Sequence, residues 1–529
     1  MGFNDRRKWY VGFGIFILII LGLLFLFHAS IYWSVGFIGI LFAIAVYDKN
    51  QKKHSILRNF PILGHMRFIL EFFRPEIQQY FIANDQSETP FNRETRTIIY
   101  ERAKGINDTL AFGTQRNILE NGYEWITHSM APKHVSKVED RIEIGGKDCI
   151  KKYSSSRLNI SAMSFGAISA TAIQALNLGA KLGDFYHNTG EGSLSDYHKQ
   201  GGDLVYQIGT GYFGCRSKDG KFSPEMFKAT ASLETVKMIE IKISQGAKPS
   251  HGGVLPAAKI TPEIARIRNV DMNEDVISPP SHDKFSTPLE LCYFIRELRE
   301  LSGGKPIGFK LCIGKKVEFF GVCKAILKTK IFPDFITVDG AEGGTGAAPM
   351  EYMNNVGLPL NDGLIFVHNA LTGCGIRNKI RIIASGKVTT GFDMVKKIAL
   401  GADICNSARG MMMALGCIQS RQCNHNTCPV GVATQNPKLY SALDINDKKH
   451  RINRYHQSTV HSFQELIGAM GLSNPSDLCP SMINRRISQS HSKQYDEIYD
   501  YIDNCSLLQK DTIPEKYRSY WLKSSAEYF

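Results

Sequence analysis

The 529-residue sequence predicts an α/β protein, a (β/α)8 TIM barrel preceded by a two-helix transmembrane hairpin and followed by a helical tail. Three observations carry that expectation. Residues 9–47 contain no Asp, Glu, Lys or Arg. Short β-rich apolar runs then alternate with helix-period segments across residues 158–437. Beyond residue 437 the chain turns polar and helical in pattern.

The apolar stretch comes first. As one helix its 39 residues would run roughly 58 Å, about twice the hydrocarbon thickness of a bilayer. A break near His28, Ala29 and Ser30 divides it into spans of 9–27 and 30–47, within an anchor of residues 1–55. Arg6, Arg7 and Lys8 precede it, and Lys49, Lys52, Lys53 and Arg58 follow it. Both ends are therefore expected in the cytoplasm, with the catalytic part there too and the spans in the inner or plasma membrane. The stretch is too long for a cleaved signal peptide and has no Ala-x-Ala-like site. Arg6 stands where a myristoylation signal needs Ser or Thr. With only His28 ionisable, the spans read as an anchor rather than a transport path. Twelve cysteines without the spacing of a disulfide framework suit the same reducing compartment.

Residues 56–157 are charge- and aromatic-rich and show no repeat, as a linker and cap region would be. The strand-like runs follow at 158–163, 185–187, 204–208, 238–243, 307–313, 335–338, 380–384 and 403–405, with helix-period segments at 286–301, 315–330 and 391–400. Eight runs fit a closed barrel over 158–437, with a doubly wound open sheet as the alternative. Residues 438–529 form the tail. A composition 43% hydrophobic and 21% charged is ordinary for a globular enzyme. The net charge of +13 falls on the soluble part, where it matches an anionic lipid leaflet. No basic run interleaved with aromatics points to nucleic acid.

In such a barrel the loops after the strands form the active face, and phosphate sits after strands seven and eight. There the sequence offers Ser385-Gly386-Lys387 and Ser407-Ala408-Arg409-Gly410. Small residues expose backbone N–H groups, a helix start adds positive potential and Arg409 adds charge, so the pair suits the phosphate of flavin mononucleotide; ordinary tight turns are the plainer reading. Gly209-x-Gly211-x-x-Gly214 matches a dinucleotide fingerprint literally, but the residues after it do not continue as a helix. Three cysteines, Cys417, Cys423 and Cys428, lie within twelve residues. Their spacing admits an iron–sulfur cluster, a zinc site completed by His425, or three inert buried thiols.

Taken together the motifs resemble the flavin-binding synthase domain of glutamate synthases. The matching stretches are Ser161-Ala162-Met163-Ser164-Phe165-Gly166, Asn188-Thr189-Gly190-Glu191-Gly192, Gln245-Gly246-Ala247-Lys248-Pro249 and Ile277-Ser278-Pro279-Pro280. Gly343-Gly344-Thr345-Gly346-Ala347 and the stretch from Leu415 to Gln435 complete the set, in order over about residues 158–437. The resemblance implies FMN and a 3Fe–4S cluster, the latter on Cys417, Cys423 and Cys428. It implies that ammonia adds to 2-oxoglutarate and that the resulting imine is reduced to L-glutamate. Lys248, Arg268 and Ser286 match substrate-binding positions, and a guanidinium grips a carboxylate in bidentate fashion where an ammonium does not. Glu191 matches an active-site acid, with Lys248 as its catalytic companion. Lys310, inside an apolar run, would stabilise an anionic reduced flavin. Gln207 and the backbone of Ala162, Met163 and Ser164 would contact the ring system. Gly343, Gly344, Ser385, Gly386, Ser407 and Arg409 would hold the rest of the cofactor.

The departures are specific. A family amidotransferase domain is not expected here, so nitrogen would come as free ammonia or from a separate glutaminase subunit. Electrons would come from a ferredoxin-like protein, an NAD(P)H reductase or a membrane quinone. The family's Gly-Glu-Gly-Gly-Gln-Leu-Pro reads Ser250-His251-Gly252-Gly253-Val254-Leu255-Pro256. Val254 removes one amide contact to 2-oxoglutarate, which keeps a different oxo or hydroxy acid as the alternative substrate. A non-catalytic membrane electron carrier is the other alternative; it has no need of Glu191, Lys248 and Arg268 together.

Overall fold

The computed structural model describes residues 3–134 and 141–529, with side chains from Gly14 onward. The chain divides into two compact units, Met1–Glu94 and Thr95–Phe529.

In the first unit, α1 (Phe3–Asn50) is one continuous helix of 48 residues. It replaces the expected pair of spans. No proline interrupts it, Ala29 is the best of helix formers, and the serines beside the expected break are satisfied inside the helix. Ser30 Oγ donates to the Phe27 carbonyl at 2.7 Å and Ser34 Oγ to that of Ser30 at 2.8 Å. The part Gly14–Asn50 is long and apolar enough to cross a membrane. A second helix, α2 (His65–Ile77), follows.

The second unit is built on a closed barrel of eight parallel strands. These are β1 (Leu158–Ile160), β2 (His187–Asn188), β3 (Leu204–Ile208), β4 (Val236–Lys242), β5 (Ile307–Leu311), β6 (Phe335–Asp339), β7 (Arg381–Ser385) and β8 (Ile404–Ser407). Each pairs with the next, and β8 returns to β1 through Cys405↔Leu158, Asn406↔Asn159 and Ser407↔Ile160. All eight apolar runs are therefore strands of one sheet, and the open-sheet alternative falls. Helices cross between them, among them α3 (Ala170–Gly183), α4 (Pro288–Leu301), α5 (Lys316–Thr329), α6 (Leu360–Gly373), α7 (Gly391–Ala399) and α8 (Arg409–Leu415). Their starts are capped by side chains: Ser169 for α3, and capping boxes at Thr287 for α4 and Thr390 for α7.

The two ends of the barrel differ. At the N-terminal end Tyr186, Val205, Met238, Phe335, Ile383 and Ile404 form an apolar cluster. An antiparallel hairpin, Arg141–Ile144 with Tyr153–Ser156, adds Ile144 and Tyr153 to it. The C-terminal region is more mixed than its sequence pattern suggests. Helix α9 (Ile445–Ala469) packs along α3, and its His456 stacks on Phe185 with ring centroids 3.8 Å apart. Ile483–Arg486 and Ser492–Gln494 are strands of a small antiparallel sheet with Glu124–Ile126.

Candidate functional site

Polar and charged side chains gather toward the C-terminal ends of the barrel strands. Inside, Glu240 on β4 accepts hydrogen bonds from Asn188 (2.8 Å), Gln207 (2.6 Å) and Thr337 (2.5 Å). Lys310 on β5 pairs with Asp339 on β6 at 3.1 Å. Burial works against the Lys310 charge, but Asp339 and Glu240 outweigh it and raise its pKa. Lys310 is thus buried with a partner, as a charge in an apolar run must be.

At the mouth the composition changes. Glu191, in the loop after β2, meets Lys242 at the end of β4 at 2.6 Å, the two side chains being only 14% and 10% exposed. Lys242 also donates to Gln245 at 2.7 Å. Burial opposes the charge on Glu191, yet Lys242, Arg268 and Lys248 together hold its carboxyl below the usual range. Lys248 is buried and donates to the Ala347 carbonyl at 2.8 Å. Burial and the neighbouring Lys242 push it down to about 8 against the pull of Glu191. Arg268, the last residue of the helix Pro262–Arg268, donates to the Phe165 carbonyl at 2.7 Å and lies over the Phe213 ring at 5.2 Å. Its Nε is buried without a hydrogen-bond partner, and burial pushes its pKa down to about 10.

Two glycines make room for this cluster. A Cβ on Gly209 would lie 2.6 Å from Glu191 Oε2, and one on Gly253 2.3 Å from Oε1. Gly209, first residue of the rejected dinucleotide motif, is therefore present for close packing on a carboxylate. A small open pocket is lined by Glu191, Lys242 and the 250–253 turn, including His251. Val254 lies next to that turn, in a two-residue strand paired with Ile277.

The loops after β6, β7 and β8 carry the expected phosphate residues. Gly343 and Gly344 follow β6, and Arg409 Nη2 donates to the Glu342 carbonyl at 2.6 Å. Ser385 and Ser161 approach through their hydroxyls at 3.3 Å, Gly386 follows, and Ser407 Oγ donates to the Val388 carbonyl at 2.6 Å. Partial burial and then Arg409 lower the pKa of Lys387. Ala162, Met163 and Ser164 form the turn after β1, closed by N–H bonds from Ala167 and Ile168 to the Ser164 carbonyl.

The structure does not bring Ser286 into the cluster. Its exposed hydroxyl donates to Glu290 at 3.0 Å at the start of α4, where it supports the capping box. The cysteine loop is closer to expectation in position than in geometry. Burial raises Cys417 to about 12, with Cys423 and Cys428 adding to the effect; burial and then Cys428 raise Cys423. The three thiols are therefore near one another, and His425 is exposed. Among the described residues, however, no three His, Cys, Asp or Glu side chains converge closely enough to hold a metal ion.

Four functional candidates escaped the sequence reading. Lys242, Glu240 and Asp339 sit inside or at the end of strands, where a charge in an apolar run was the available signal. Lys259 is buried and donates to the Ala167 carbonyl at 2.9 Å. Burial brings it down to about 8, while Cys423 and Cys428 pull upward and Arg268 downward. It thus feels both the cysteine loop and the cation-rich mouth.

Comparison with known proteins places these features in context. The family model for a conserved region in glutamate synthase matches residues 97–473. The glutamate synthase large subunit-like protein YerD of Bacillus subtilis (strain 168) is 39% identical over 495 residues, covering 84% of this chain and 93% of YerD. The archaeal glutamate synthase (NADPH) of Archaeoglobus fulgidus is 35% identical over 315 residues, 59% of this chain and 58% of that protein. The match thus spans a little over half of the archaeal enzyme. Among solved structures, a flavocytochrome b2 double mutant with sulfite bound aligns over 84% of this chain and 91% of its own, at 12% identity and a TM-score of 0.43.

Proposed function

The chain belongs to the glutamate synthase family, and on that premise we propose that it reduces the imine of 2-oxoglutarate and ammonia to L-glutamate. FMN and a 3Fe–4S cluster are its resident groups in this reading, and an external donor supplies electrons. The observation that carries it is the charge at the mouth: one carboxylate, Glu191, against Lys242, Lys248 and Arg268. That surplus of two positive charges fits a dicarboxylate.

The residues present fit FMN. Burial first and then Arg409 lower Lys387 after β7, and a phosphate dianion beside the two cations would offset both effects. Gly343, Gly344, Ser385, Gly386 and Ser407 complete that cradle. Ala162, Met163, Ser164, Gln207 and Lys310 would face the ring system, with Lys310 the cation that favours its reduced anion. When bound, FMN supplies the hydride that reduces the C=N bond. For the cluster, the donor set is three neighbouring thiols, Cys417, Cys423 and Cys428, of the kind iron–sulfur centres use.

The chain's own side chains do the rest. Arg268 grips one carboxylate of the substrate with its guanidinium, whose Nε protein atoms leave without a partner. Lys242 holds Glu191 ionised, so Glu191 accepts hydrogen bonds from ammonia and positions it rather than donating a proton. Lys248, brought to about 8, both attracts the substrate and has a proton to give as the carbonyl oxygen leaves as water. Nitrogen arrives as free ammonia or from a separate glutaminase subunit. The donor is a ferredoxin-like protein, an NAD(P)H reductase or a quinone. Helix α1 anchors the chain in the plasma membrane with the barrel on the cytoplasmic side, as the basic residues after it favour.

The test is to reduce the detergent-solubilised protein without oxygen, mix it with 2-oxoglutarate and ammonium, and follow the flavin spectrum and glutamate together. Reoxidation with stoichiometric glutamate is expected. A flavin that stays reduced in iron-replete protein moves the activity to another oxo acid. Cys423→Ser is expected to lose iron and sulfide while retaining FMN; unchanged iron content removes the cluster from this loop.

A further inference from the structure

The chemistry above makes no use of the segment that follows α1. Residues 49–82 carry six lysines and arginines against two glutamates. Within them α2 is amphipathic. Met66, Ile69, Leu70, Phe73 and Ile77 recur at helical spacing on one face, Arg67 and Arg74 flank it, and Glu71 lies on the far side with Phe68 and Phe72. Tyr80 and Phe81 extend the apolar stripe into the helical turn Gln78–Ile82.

None of that stripe is covered by protein. No residue of α2 is buried, and Leu70, Phe73 and Phe81 are 56%, 50% and 84% exposed. A contiguous apolar face of this kind marks a contact with something else.

Asp48 shows where the face sits. It is the first charged residue after the apolar run of 9–47, so it closes the stretch of α1 that can lie in hydrocarbon. Its carboxylate is fully buried and accepts the Ile62 N–H at 2.9 Å and the His65 Nε2–H at 2.9 Å. Through these bonds the first residue of α2 is tied to the last turn of α1. An amphipathic helix that starts at the membrane surface, among six cations, has the charge and apolar stripe that suit an anionic lipid interface. We propose that α2 lies in the headgroup layer of the bilayer, apolar stripe toward the acyl chains, with Asp48 and His65 fixing its start at that level. This rests on the reading of α1 as a membrane span.

The test uses the full chain in vesicles of phosphatidylcholine and phosphatidylglycerol, with the photo-crosslinker p-benzoylphenylalanine placed at Phe73 or, as the opposite-face control, at Glu71. Flotation with the vesicles before irradiation reports α1 alone; a chain that does not float overturns the span and this inference together. In floating protein, about tenfold more lipid adduct from position 73 than from position 71 is expected. Equal yields, or no lipid adduct at either position, overturn the interfacial helix while leaving the span intact. A crosslinked dimer in place of lipid adducts also overturns it and assigns the face to a second copy of the chain.

Discussion

Two ionic clusters lie within a few residues of each other along the barrel strands, and they are balanced differently. Inside, Glu240 and Asp339 face Lys310, and every charge has a protein partner: Lys310 sits on Asp339 at 3.1 Å, and Glu240 collects three hydrogen bonds. Its carboxylates raise the pKa of Lys310 despite burial. At the mouth three cations share one carboxylate, and burial drives Lys248 down to about 8 and Arg268 to about 10. The same low dielectric acts on both. A folded chain tolerates an uncompensated buried charge poorly, so under the proposed function the surplus at the mouth is what a dianionic substrate would offset. The inner cluster is compensated by protein groups; the outer one carries an excess of positive charge.

Lys310→Met probes that division most severely. It leaves Asp339 buried without its counter-ion and is expected to cost about 3–5 kcal/mol of stability, read from urea unfolding of the full chain in detergent. Glu191→Gln at the mouth should cost far less, because Lys242 keeps Gln245 as an acceptor at 2.7 Å. Equal losses would erase the distinction between the clusters. Arg268→Ala comes next: 2-oxoglutarate binding should weaken by about 2–5 kcal/mol while FMN content holds. Arg268→Lys should not restore affinity, since a point charge lacks the planar fork. An unchanged dissociation constant would take Arg268 out of the site. Lys259 is a further buried cation, with the cysteine loop as its counterpart. Lys259→Met is expected to lower iron affinity about tenfold, as loss of an outer-shell partner does, measured as iron retained against a chelator. Full retention would confine Lys259 to holding the Ala167 carbonyl.

Much of this was legible in the sequence, for local reasons. Eight short apolar runs bounded by turn residues became eight strands, and Glu191, Lys248 and Arg268 became neighbours. What could not be read was set by contacts over long separations or by competing local preferences. The break expected at His28, Ala29 and Ser30 rested on helix length alone, and serine back-bonding to the helix left nothing to enforce it. Ser286 was expected at a substrate-binding position, and in the structure its hydroxyl donates to Glu290 beside the capping box of α4. The pairing of Glu124 with Arg485 joins residues more than three hundred positions apart, which no periodicity announces. Glu240 and Asp339 were hidden because a strand-like run tolerates one charge without losing its pattern.

The smallest expected effect is a pH dependence, and it separates the two clusters without any change in the fold. Lys248 near 8 is protonated below that pH and neutral above it. Its attraction for a dianionic substrate is therefore complete on the acid side and lost as pH rises through 8. Arg268, near 10, keeps its charge across the same interval, so only one proton is involved. The dissociation constant of 2-oxoglutarate should rise with a limiting slope of about tenfold per pH unit above 8, and the bound substrate should push the midpoint upward. Lys248→Met should bind more weakly at neutral pH and show a flat profile there. Lys310 contributes nothing in this window, because Asp339 and Glu240 hold its proton well above it. A slope that survived in Lys248→Met would place the titrating group elsewhere and break the comparison at its outer half.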